Sequence, residues 1–477
     1  MRTAYSVETV RAAERSLMAR LPEGTLMQRA AAGLAAACAD LLGRVYGSRV
    51  VLLVGSGDNG GDALYAGARL ARRGAGVTAV LLSPDRAHEG GLAALRRAGG
   101  TVTGTADAER WVSRADLVLD GIVGIGGKGG LRPEAERLAA WCGSSAAPVV
   151  AVDLPSGVDA DTGEVHGTAI RADLTVTFGT HKPGLLIDPA RDHAGTVRLV
   201  DIGLALPEVP DAEALQHGDV AALLPAPAAE SDKYRRGVVG VAAGSARYPG
   251  AAVLAVAGAL RGGAGAVRYV GPAAEAVLAR FPETLVSDRG PARAGRVQAW
   301  VVGPGAGDDA ATVAEVLSAD VPVLLDADGL RLADREAVHA RTAPTLMTPH
   351  AGEAAALLGV TREEVERARL RSARELARRY GATVLLKGST TLVADASPDT
   401  PVRVNPTGTP WLATAGSGDV LSGLAGSLLA AGLSPLDAGS AAAYLHGLAG
   451  RYAAQGAPVS AQDVAGALGR AWRDVCG

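Results

Sequence analysis

Large aromatic side chains are scarce in this chain of 477 residues, which contains only 2 Phe, 5 Trp and 9 Tyr. Because hydrophobic residues still make up 48% of the sequence, we expect globular cores built from Ala, Val and Leu. Domains usually contain roughly 100–200 residues, so the length favours two large domains.

Cysteine is rare, and neither sign of charge dominates. Cys38, Cys142 and Cys476 lie far apart, with no CxxC or Cys/His spacing, which argues against a disulfide framework and a zinc site and favours a reducing cytoplasm. The 47 basic and 50 acidic side chains leave a net charge of -3, so no basic field for nucleic acid or anionic lipid is expected.

Long apolar runs are missing as well. The N-terminus is polar, and no stretch approaches the roughly 18 to 20 apolar residues that cross a bilayer. We therefore predict neither secretion nor membrane insertion.

Short apolar runs alternate with helical spacing in the first part of the chain. Helices are expected over residues 6–18, 26–42, 63–73 and 134–141, and strands over residues 49–55, 77–82, 116–120, 148–153 and 173–178. This alternation predicts a Rossmann-like domain with a doubly wound parallel sheet over residues 1–211.

A second α/β series follows a segment that reads as a linker. Residues 201–219 include Pro207 and Pro210 and show no sustained period, which places the boundary near residue 212. Strands are expected over residues 238–243, 266–270, 299–302, 322–326, 345–347 and 383–387, and helices over most of residues 419–472. We predict a second, different α/β domain over residues 212–477, because the two halves show no alignable repeat.

The segment GSGDNGGD, residues 55–62, follows a predicted strand and opens a helix. Its backbone amides and the helix N-terminus could face a phosphate or another oxygen-rich group. The alternative is a tight turn whose Asp and Asn only cap the helix. The spacing is not GxGxxG, and no acidic residue ends the second strand, which weakens ordinary dinucleotide redox chemistry.

Polar groups also follow two later strands. Asp120 precedes the glycine-rich residues 124–130, and Asp153 precedes Ser156. Because the carboxyl ends of parallel strands share one rim, Asn59, Asp120 and Ser156 are expected to converge. Oxygen ligands without His or Cys suit an alkali or alkaline-earth cation, although each Asp taken singly could be a helix cap.

The motifs GSGDNGGD, DGIVGIGGKGG and DLPSGVDADTGEV resemble those of the NAD(P)H-hydrate epimerase family, over roughly residues 1–205. The resemblance implies a potassium ion at Asn59, Asp120 and Ser156, with Asp153 as the acid/base group. The family more often has Asn at Asp58, where this chain adds a charge near an anionic substrate, and Gly at Ala63. The implied contacts with the hydrate are Asp58, Asn59, Gly60, Gly61, Asp62, Gly124, Ile125, Gly126, Gly127, Lys128, Gly129, Gly130 and Asp153.

Near the C-terminus, the segment TAGSGDVL puts two glycines and a serine before Asp419 at the start of a long helix. Amides there can stabilise charge on a transferring phosphoryl group, and Asp419 is placed to accept a hydroxyl proton. The alternative is an N-cap Asp after a flexible loop. Upstream, Lys387 to Thr391 end a buried strand and could cradle phosphate.

Further strand ends carry GPGAG, DADGL and TPHAGE. His350 in the last of these would more often be structural than catalytic if it stood alone. Together with Lys233, Tyr234 and the turn at residues 244–251, these segments resemble the NAD(P)H-hydrate dehydratase family, which has the ribokinase-like fold, over about residues 215–477. Most members have Pro at Ala351 and Thr at Ser417, and the second change keeps the hydroxyl.

The second resemblance implies the reaction partners of this domain. Fused members use ADP, so ADP is the expected phosphoryl donor, and Mg²⁺ is expected to shield the transferred charge. The implied nucleotide contacts are Lys387, Gly388, Ser389, Thr390, Thr391 and Gly418, and the implied hydrate contacts are Ala252, Gly307, His350 and Asp419.

The two resemblances together predict repair of hydrated NADH and NADPH by an epimerase joined to a dehydratase, in a cytoplasmic homo-oligomer. One alternative is a small-alcohol or vitamin kinase, since ribokinase-like domains serve many alcohols. Another makes the first domain a non-catalytic binding or scaffolding module, because fold alone does not establish activity.

Overall fold

The computed structural model describes residues 1–477, and the chain forms two compact units. One unit is Thr3–Asp211, and the other is Ala212–Gly477 together with Met1–Arg2. None of the helices in either unit has both the length and the apolar character of a membrane span.

The chain up to Asp211 alternates strands and helices as the sequence predicts. Its strands are β1 (Arg2–Ala4), β2 (Arg49–Val54), β3 (Gly76–Leu81), β4 (Thr101–Gly104), β5 (Leu117–Gly121), β6 (Val149–Val152), β7 (Leu174–Phe178) and β8 (Thr196–Val200). Its helices are α1 (Val7–Met18), α2 (Thr25–Leu42), α3 (Asp58–Arg72), α4 (Glu89–Arg97), α5 (Ala108–Val112), α6 (Pro133–Ser144) and α7 (Arg191–Ala194).

The sheet of this unit has the order β4-β3-β2-β5-β6-β7-β8, and every neighbouring pair is parallel. The order reverses between β2 and β5, and in such sheets ligands bind at this switch point, beyond the carboxyl ends of the strands. The expected doubly wound parallel sheet is confirmed.

The second unit is also an α/β structure. Its strands are β9 (Ala212–Ala214), β10 (Val238–Ala242), β11 (Ala266–Val270), β12 (Leu285–Ser287), β13 (Ala299–Val302), β14 (Val323–Leu325), β15 (Thr345–Met347), β16 (Thr383–Leu386), β17 (Thr391–Ala394) and β18 (Val402–Asn405). Its helices are α8 (His217–Leu223), α9 (Pro249–Arg261), α10 (Ala274–Arg280), α11 (Ala310–Leu317), α12 (Asp328–Leu332), α13 (Arg335–His339), α14 (Ala351–Leu358), α15 (Arg362–Arg367), α16 (Arg369–Tyr380), α17 (Ser417–Ala430), α18 (Pro435–Ala454) and α19 (Ala461–Cys476).

From Ala212 onward the strands lie in the order β9-β18-β17-β16-β15-β14-β13-β10-β11-β12. The pairs from β16 through β15, β14, β13, β10 and β11 to β12 are parallel, whereas β17 is antiparallel to both of its neighbours. The sequence does not predict β17 and β18, because residues after Lys387 lack an extended apolar run.

The segment predicted as a linker is partly ordered structure. Strand β9 pairs with β18, and helix α8 begins at His217. A capping box explains why the helix starts here. The backbone N–H of Gln216 donates to Asp219 Oδ2 at 2.8 Å, and the Gln216 side chain accepts from the backbone N–H of Asp219. The prediction of an irregular segment through residue 219 is therefore wrong beyond residue 211.

Helices α9 and α17 lie very close together, as suits a core with few aromatic side chains. A Cβ on Gly258 would collide with the carbonyl of Val420, and one on Gly423 with the carbonyl of Ala255. Glycine at both positions lets the two backbones meet, so the core is filled by close backbone contact rather than by large side chains.

Candidate functional sites

The first site lies at the carboxyl ends of strands β2, β5 and β6. Helix α3 begins at Asp58 directly after the glycine loop that follows β2. Asp120 lies near the end of β5, and Asp153 follows β6 immediately. The parallel sheet thus brings these three segments to one edge, as the sequence predicts.

Asn59, Asp120 and Ser156 come together at this edge. The Ser156 hydroxyl donates to Asp120 Oδ1 at 2.6 Å, and the Ser156 backbone N–H donates to Asp120 Oδ2 at 2.8 Å. The Asn59 side-chain amide donates to the Val152 carbonyl at 2.5 Å. A Cβ on Gly124 would collide with the Asn59 side chain, so glycine there keeps the loop after β5 against Asn59.

Asp120 is a buried carboxyl group without a cationic partner. It is 0% exposed, and burial raises its pKa to about 6 although hydrogen bonds from Ser156 lower it. A buried carboxylate is costly unless a counter-charge accompanies it. The oxygen atoms of Asp120, Ser156 and Asn59 form a donor set that fits a hard cation such as K⁺.

Asp153 forms a buried ion pair that the sequence does not predict. Lys182 Nζ donates to Asp153 Oδ1 at 2.5 Å, and the Thr177 hydroxyl and the Phe178 backbone N–H donate to the same oxygen at 2.9 and 3.2 Å. Asp153 itself has a φ of 67°, a strained conformation that often marks a functional position. Oδ2 takes part in none of these three bonds, so it is left for a ligand.

Asp62, in the first turns of α3, is a second buried carboxyl group. It is 7% exposed, and its Oδ1 atom has no hydrogen-bond partner. Burial raises its pKa well above the ordinary value, and Asp153, Asp58 and Glu14 raise it further by charge repulsion. Asp62 therefore retains a proton more readily than an ordinary aspartate.

The glycine-rich loop after β5 extends from this rim to the surface. Gly126, Lys128 and Gly129 are exposed, and Ile125 packs against the apolar cluster that includes Leu154. Gly130 has a φ of 89°, and a Cβ there would collide with the carbonyl of His166. The middle of the loop is thus exposed, as a ligand contact requires.

The second site lies along the carboxyl ends of five neighbouring parallel strands. The loops that follow β10, β13, β14, β15 and β16 contain the turn at residues 244–251, the segment at 303–307, Asp326, the segment at 348–353 and Lys387. In the sheet, these strands lie side by side, which is why segments up to about 140 residues apart in sequence meet at one rim.

Lys387 joins two carboxylates at the centre of this rim. Its Nζ donates to Asp326 Oδ1 at 2.7 Å and lies 3.8 Å from Glu353 Oε2. The hydroxyl of Ser422 donates to the other oxygen of Asp326 at 2.7 Å. Burial alone would lower the pKa of Lys387, but these carboxylates and Asp419 outweigh it and raise the pKa. Lys387 thus stays cationic where a phosphate would lie.

Asp419 is the third residue of helix α17 and lies near this cation. A Cβ on Gly418 would be 3.4 Å from Lys387 Nζ. The pKa of Asp419 is raised to about 7, mainly by burial and also by the charges of Asp326 and Glu353, against the lowering effect of Lys387. A carboxyl group with a pKa near neutrality can take up and release a proton under physiological conditions.

His446 supports the start of α17 from the neighbouring helix α18. Its Nε2 lies 2.9 Å from the Ser417 carbonyl, and burial lowers its pKa to about 4. The ring is therefore neutral and donates to that carbonyl. This contact orients the first turn of α17, which carries Gly418 and Asp419.

The loop after β16 is held in shape by Arg369. The Nη2 atom of this buried side chain donates to the carbonyls of Leu386, Lys387 and Thr390 at 3.3, 3.1 and 3.0 Å. A Cβ on Gly388 would collide with the guanidinium group. Gly388 and Ser389 are exposed, Thr391 is half-buried and Thr390 is buried, so the loop presents its first residues to a ligand.

The remaining predicted contacts lie on the same rim, with differing exposure. Ala252 is buried next to Gly244, and Gly307, at a φ of 64°, donates its N–H to Asp328 Oδ2 at 2.8 Å. The exposed His350 caps helix α14, because its Nδ1 accepts from the N–H groups of Gly352 and Glu353 at 3.0 and 3.1 Å. The His350 ring therefore caps helix α14 and also lies at the site.

Sequence reasoning misses several side chains at both sites, namely Arg11, Glu14, Thr177 and Lys182 at the first and Arg369, Ser422 and His446 at the second. Lys182 follows strand β7, and ligand-binding side chains tend to lie beyond the carboxyl ends of parallel strands, so the sequence carried a signal for this residue. Arg369 and His446 lie within helices whose pattern only indicates an amphipathic or buried element, and the sequence carries no sign of their contacts.

Comparisons with known proteins match both units. Residues 23–184 match the family described as YjeF-related protein N-terminus, and residues 239–468 match the family described as NAD(P)H-hydrate dehydratase. The bifunctional NAD(P)H-hydrate repair enzyme Nnr of Mycobacterium leprae is 51% identical over 455 residues, which cover 94% of this chain and 93% of that protein. The enzyme of the same name from Mycobacterium tuberculosis is 52% identical over 442 residues, which cover 91% and 90%.

One solved structure also resembles the second unit. The ADP/ATP-dependent NAD(P)H-hydrate dehydratase of Bacillus subtilis, co-crystallised with ATP/Mg²⁺, is 30% identical with a TM-score of 0.50. The match covers 56% of this chain and 99% of that chain. The expected ribokinase-like α/β class of the second unit is confirmed.

Proposed function

The chain belongs to the family of bifunctional NAD(P)H-hydrate repair enzymes, and we propose that its two reactions divide between the two units. Residues 1–211 form the epimerase domain, which interconverts the R and S forms of hydrated NAD(P)H. Residues 212–477 form the dehydratase domain, which converts the S form to NAD(P)H and ADP to AMP and phosphate.

The observation that carries the dehydratase proposal is Asp419, a carboxyl group with a pKa of about 7 beside the cationic Lys387. Hydroxide is a poor leaving group, so the hydroxyl oxygen of the hydrate attacks the terminal phosphoryl group of ADP while Asp419 takes its proton. The lone pair of the ring nitrogen then expels phosphate, and loss of a proton from the adjacent ring carbon restores the dihydropyridine. Lys387 and the amides at the start of α17 stabilise the charge on the phosphoryl oxygens.

The epimerase proposal rests on Asp153. Inversion at the hydrated carbon needs a group that takes the hydroxyl proton and later returns it. The pairing of Oδ1 with Lys182 supports this role, because it orients the carboxyl group and leaves Oδ2 for the substrate. We propose that residues 55–62, which span the end of the loop after β2 and the start of α3, and the glycine loop at residues 124–130 hold the phosphate-rich remainder of the hydrate.

A single assay tests both reactions on the intact chain. Chemically hydrated NADH or NADPH is incubated with ADP and Mg²⁺, and recovery of the dihydropyridine absorbance is followed. Complete recovery from a mixture of epimers is the expected result. A phosphorylated alcohol that accumulates without recovery would identify a kinase instead, and recovery of the S form alone would leave the first unit as a binding module.

We propose that a potassium ion binds at Asn59, Asp120 and Ser156, supported by the uncompensated carboxylate of Asp120. Potassium chloride is expected to raise the unfolding temperature of the wild-type chain above that in choline chloride of equal ionic strength, since a bound ion stabilises the folded state. Epimerase activity should rise in parallel.

The control for the ion is the substitution Asp120→Asn, which is nearly isosteric and removes the charge. It should abolish both responses to potassium. The same shift in lithium chloride, or a potassium shift that survives in the variant, would contradict a potassium site at these residues.

We propose that ADP is the donor and that Mg²⁺ accompanies it. The structure contains no group of three or more His, Cys, Asp or Glu side chains that could hold a metal ion by themselves. The Asp326, Glu353 and Asp419 carboxylates near Lys387 could therefore contribute only part of a coordination sphere that phosphate oxygens complete. Comparison of ADP with ATP in the assay decides the donor.

Replacement of Gly388 by Ala should weaken nucleotide binding. The new Cβ would press on the Arg369 guanidinium, which fixes the carbonyls of Leu386, Lys387 and Thr390. Overpacking of this kind costs about 1–3 kcal/mol, so the KM for ADP should rise about tenfold or more with little change in kcat.

Steady-state kinetics with varied ADP measure this effect. The substitution Gly466→Ala is the control, because Gly466 has open space around its Cβ position and lies in helix α19. An unchanged KM in Gly388→Ala would show that the loop does not contact the nucleotide.

We further propose that both NADH and NADPH hydrates are substrates and that the enzyme is a cytoplasmic homo-oligomer. The three free cysteines are compatible with a reducing compartment. Light scattering on the purified protein tests the oligomeric state, and competition between the two hydrates tests the preference.

A further inference from the structure

Helix α1 lies against the first site although it precedes the family match, which begins at residue 23. Ser6 and Val7, at the start of the helix, donate their backbone N–H groups to Asp211 Oδ2 at 2.8 Å and to Asp161 Oδ1 at 2.7 Å. These bonds attach the helix to the body of its own unit.

One face of this helix is directed at the site. Val7, Val10, Arg11 and Glu14 share a face because they are three or four residues apart. Val10 is 0% exposed, and Val7 packs on the apolar cluster that contains Leu154. Arg11 Nη2 would be 3.1 Å from a Cβ on Gly126, in the glycine-rich loop after β5. Glu14, one turn further on, lies close enough to Lys182, Asp153 and Asp58 to interact with their charges.

Glu14 stands among the charged groups of the rim. Burial raises its pKa, Lys182 lowers it, Asp153 and Asp58 raise it, and Arg11 lowers it. Glu14 in turn raises the pKa of Asp62 by charge repulsion. The net effect on its pKa is upward, so Glu14 retains a proton more readily than an ordinary glutamate.

Glu14 and Asp153 therefore differ in environment. Asp153 Oδ1 accepts from Lys182, Thr177 and Phe178, so this oxygen is held by one cationic and two polar donors, whereas no salt bridge or hydrogen bond holds the Glu14 side chain. Two neighbouring carboxyl groups, one fixed by a lysine and the other without a fixed partner, are suited to act as base and acid in one reaction.

We infer that Glu14 is the catalytic acid that works with Asp153 as the base in epimerisation of the hydrate. This assignment rests on the proposed function of the first unit. Glu14 is half-buried, so its carboxyl group is accessible to a bound ligand, whereas Asp62 is nearly enclosed.

The step balances without any added reactant. Asp153 takes the proton of the hydroxyl group, a C=O bond forms at that carbon, and the bond from this carbon to the ring nitrogen breaks. The bonding electron pair goes to the nitrogen, which receives the proton of Glu14. Rotation about the adjacent C–C bond exposes the other face of the aldehyde. In reverse, the nitrogen attacks that face, Glu14 recovers its proton, and Asp153 returns its own proton to the oxygen.

The test compares Glu14→Gln, Glu14→Asp and the control Glu8→Gln in the full chain. Glu8 lies on the same helix but is exposed. Conversion of the purified R hydrate to the S hydrate is followed by chromatography without nucleotide, with the uncatalysed rate subtracted. Dehydration of the S hydrate with ADP, performed by the other unit, and thermal unfolding report whether each variant is folded.

Glu14→Gln should lower the kcat of epimerisation by about 10²-fold or more with little change in KM, as expected for loss of a general acid. Glu14→Asp should retain more activity, and Glu8→Gln should match the wild type. The wild-type rate should fall as the pH rises through the raised pKa of Glu14, and the residual rate of Glu14→Gln should lack this fall.

A wild-type kcat in Glu14→Gln, or a change confined to KM, would overturn the inference while the proposed function stands. Absence of any epimerisation above the uncatalysed rate in the wild type would overturn the proposed function and the inference together.

Discussion

Replacement of Asp419 by Asn is expected to lower the kcat of ADP-dependent dehydration by about 10³-fold, within the range found for loss of a general base. The amide keeps the shape of the side chain, but it cannot accept the hydroxyl proton while the phosphoryl group is transferred. Binding of ADP should change little, since Lys387 and the loop held by Arg369 remain in place.

The pH dependence of the wild type provides an independent check on Asp419. Burial raises the pKa of this carboxyl group to about 7, and the base works only in its ionised form. The kcat/KM should therefore fall about tenfold per pH unit below pH 7 and level off above it. Asp326→Asn should move this limb to lower pH, because the Asp326 charge raises the pKa of Asp419.

Two controls accompany the Asp419 experiment. Asp463 occupies the same third position in helix α19, where it is exposed, so Asp463→Asn should leave dehydration unchanged. The epimerase activity of Asp419→Asn should equal that of the wild type. If Asp419→Asn dehydrates the S hydrate at a tenth of the wild-type rate or faster, Asp419 is not the base.

Replacement of Lys182 by Met is expected to abolish measurable epimerisation and to destabilise the first unit by about 3–5 kcal/mol. Lys182 is 1% exposed, and its ion pair with Asp153 is 2.5 Å long. Removal of one partner leaves the other as an uncompensated charge in a buried position. Asp153→Asn should have the same two effects, because it leaves Lys182 unpaired.

The double variant, Asp153→Asn with Lys182→Met, separates stability from catalysis. It removes both charges, so much of the lost stability should return while epimerisation stays absent. Calorimetry and the epimer assay on the intact chain measure the two effects. Arg49→Met is the matched control, since its ion pair with Asp116 is exposed and should matter little.

Retention of epimerase activity by the double variant would contradict the assignment of Asp153. Unfolding of Lys182→Met at the wild-type temperature would instead contradict the buried ion pair. The two findings are independent, because one concerns chemistry and the other concerns packing.

The positions of the glycine loops and of the strand-end carboxylates could be predicted from the sequence. Asp120, Asp153 and Asp326 each follow a short apolar run, and parallel strands place their carboxyl ends on one side of the sheet. The same reasoning predicts Lys387 at the end of a strand of the second sheet, and the Gly/Ser segment before Asp419 predicts this residue at the start of a helix. These predictions need only the order of elements, which local patterning reveals.

The partners of these residues could not be predicted in the same way. Lys182 lies 29 residues after Asp153 and pairs with it because strand β7 neighbours β6 in the sheet. Glu14 belongs to a helix whose sequence pattern marks only a buried face. Arg369 reads as one of several arginines in α16, and only the fold turns it towards the loop after β16.

The sequence by itself determined the two α/β domains, the motifs at the strand ends and the family to which they point, because apolar periodicity and glycine spacing are local properties of the chain. Only the tertiary structure decided the protonation states at the two sites. A pKa depends on burial and on charges a few ångströms away, and Asp326, whose charge raises the pKa of Asp419, is brought there by the pairing of strands. The sequence thus identified the residues that we propose bear the chemistry, and the fold determined which groups surround each of them.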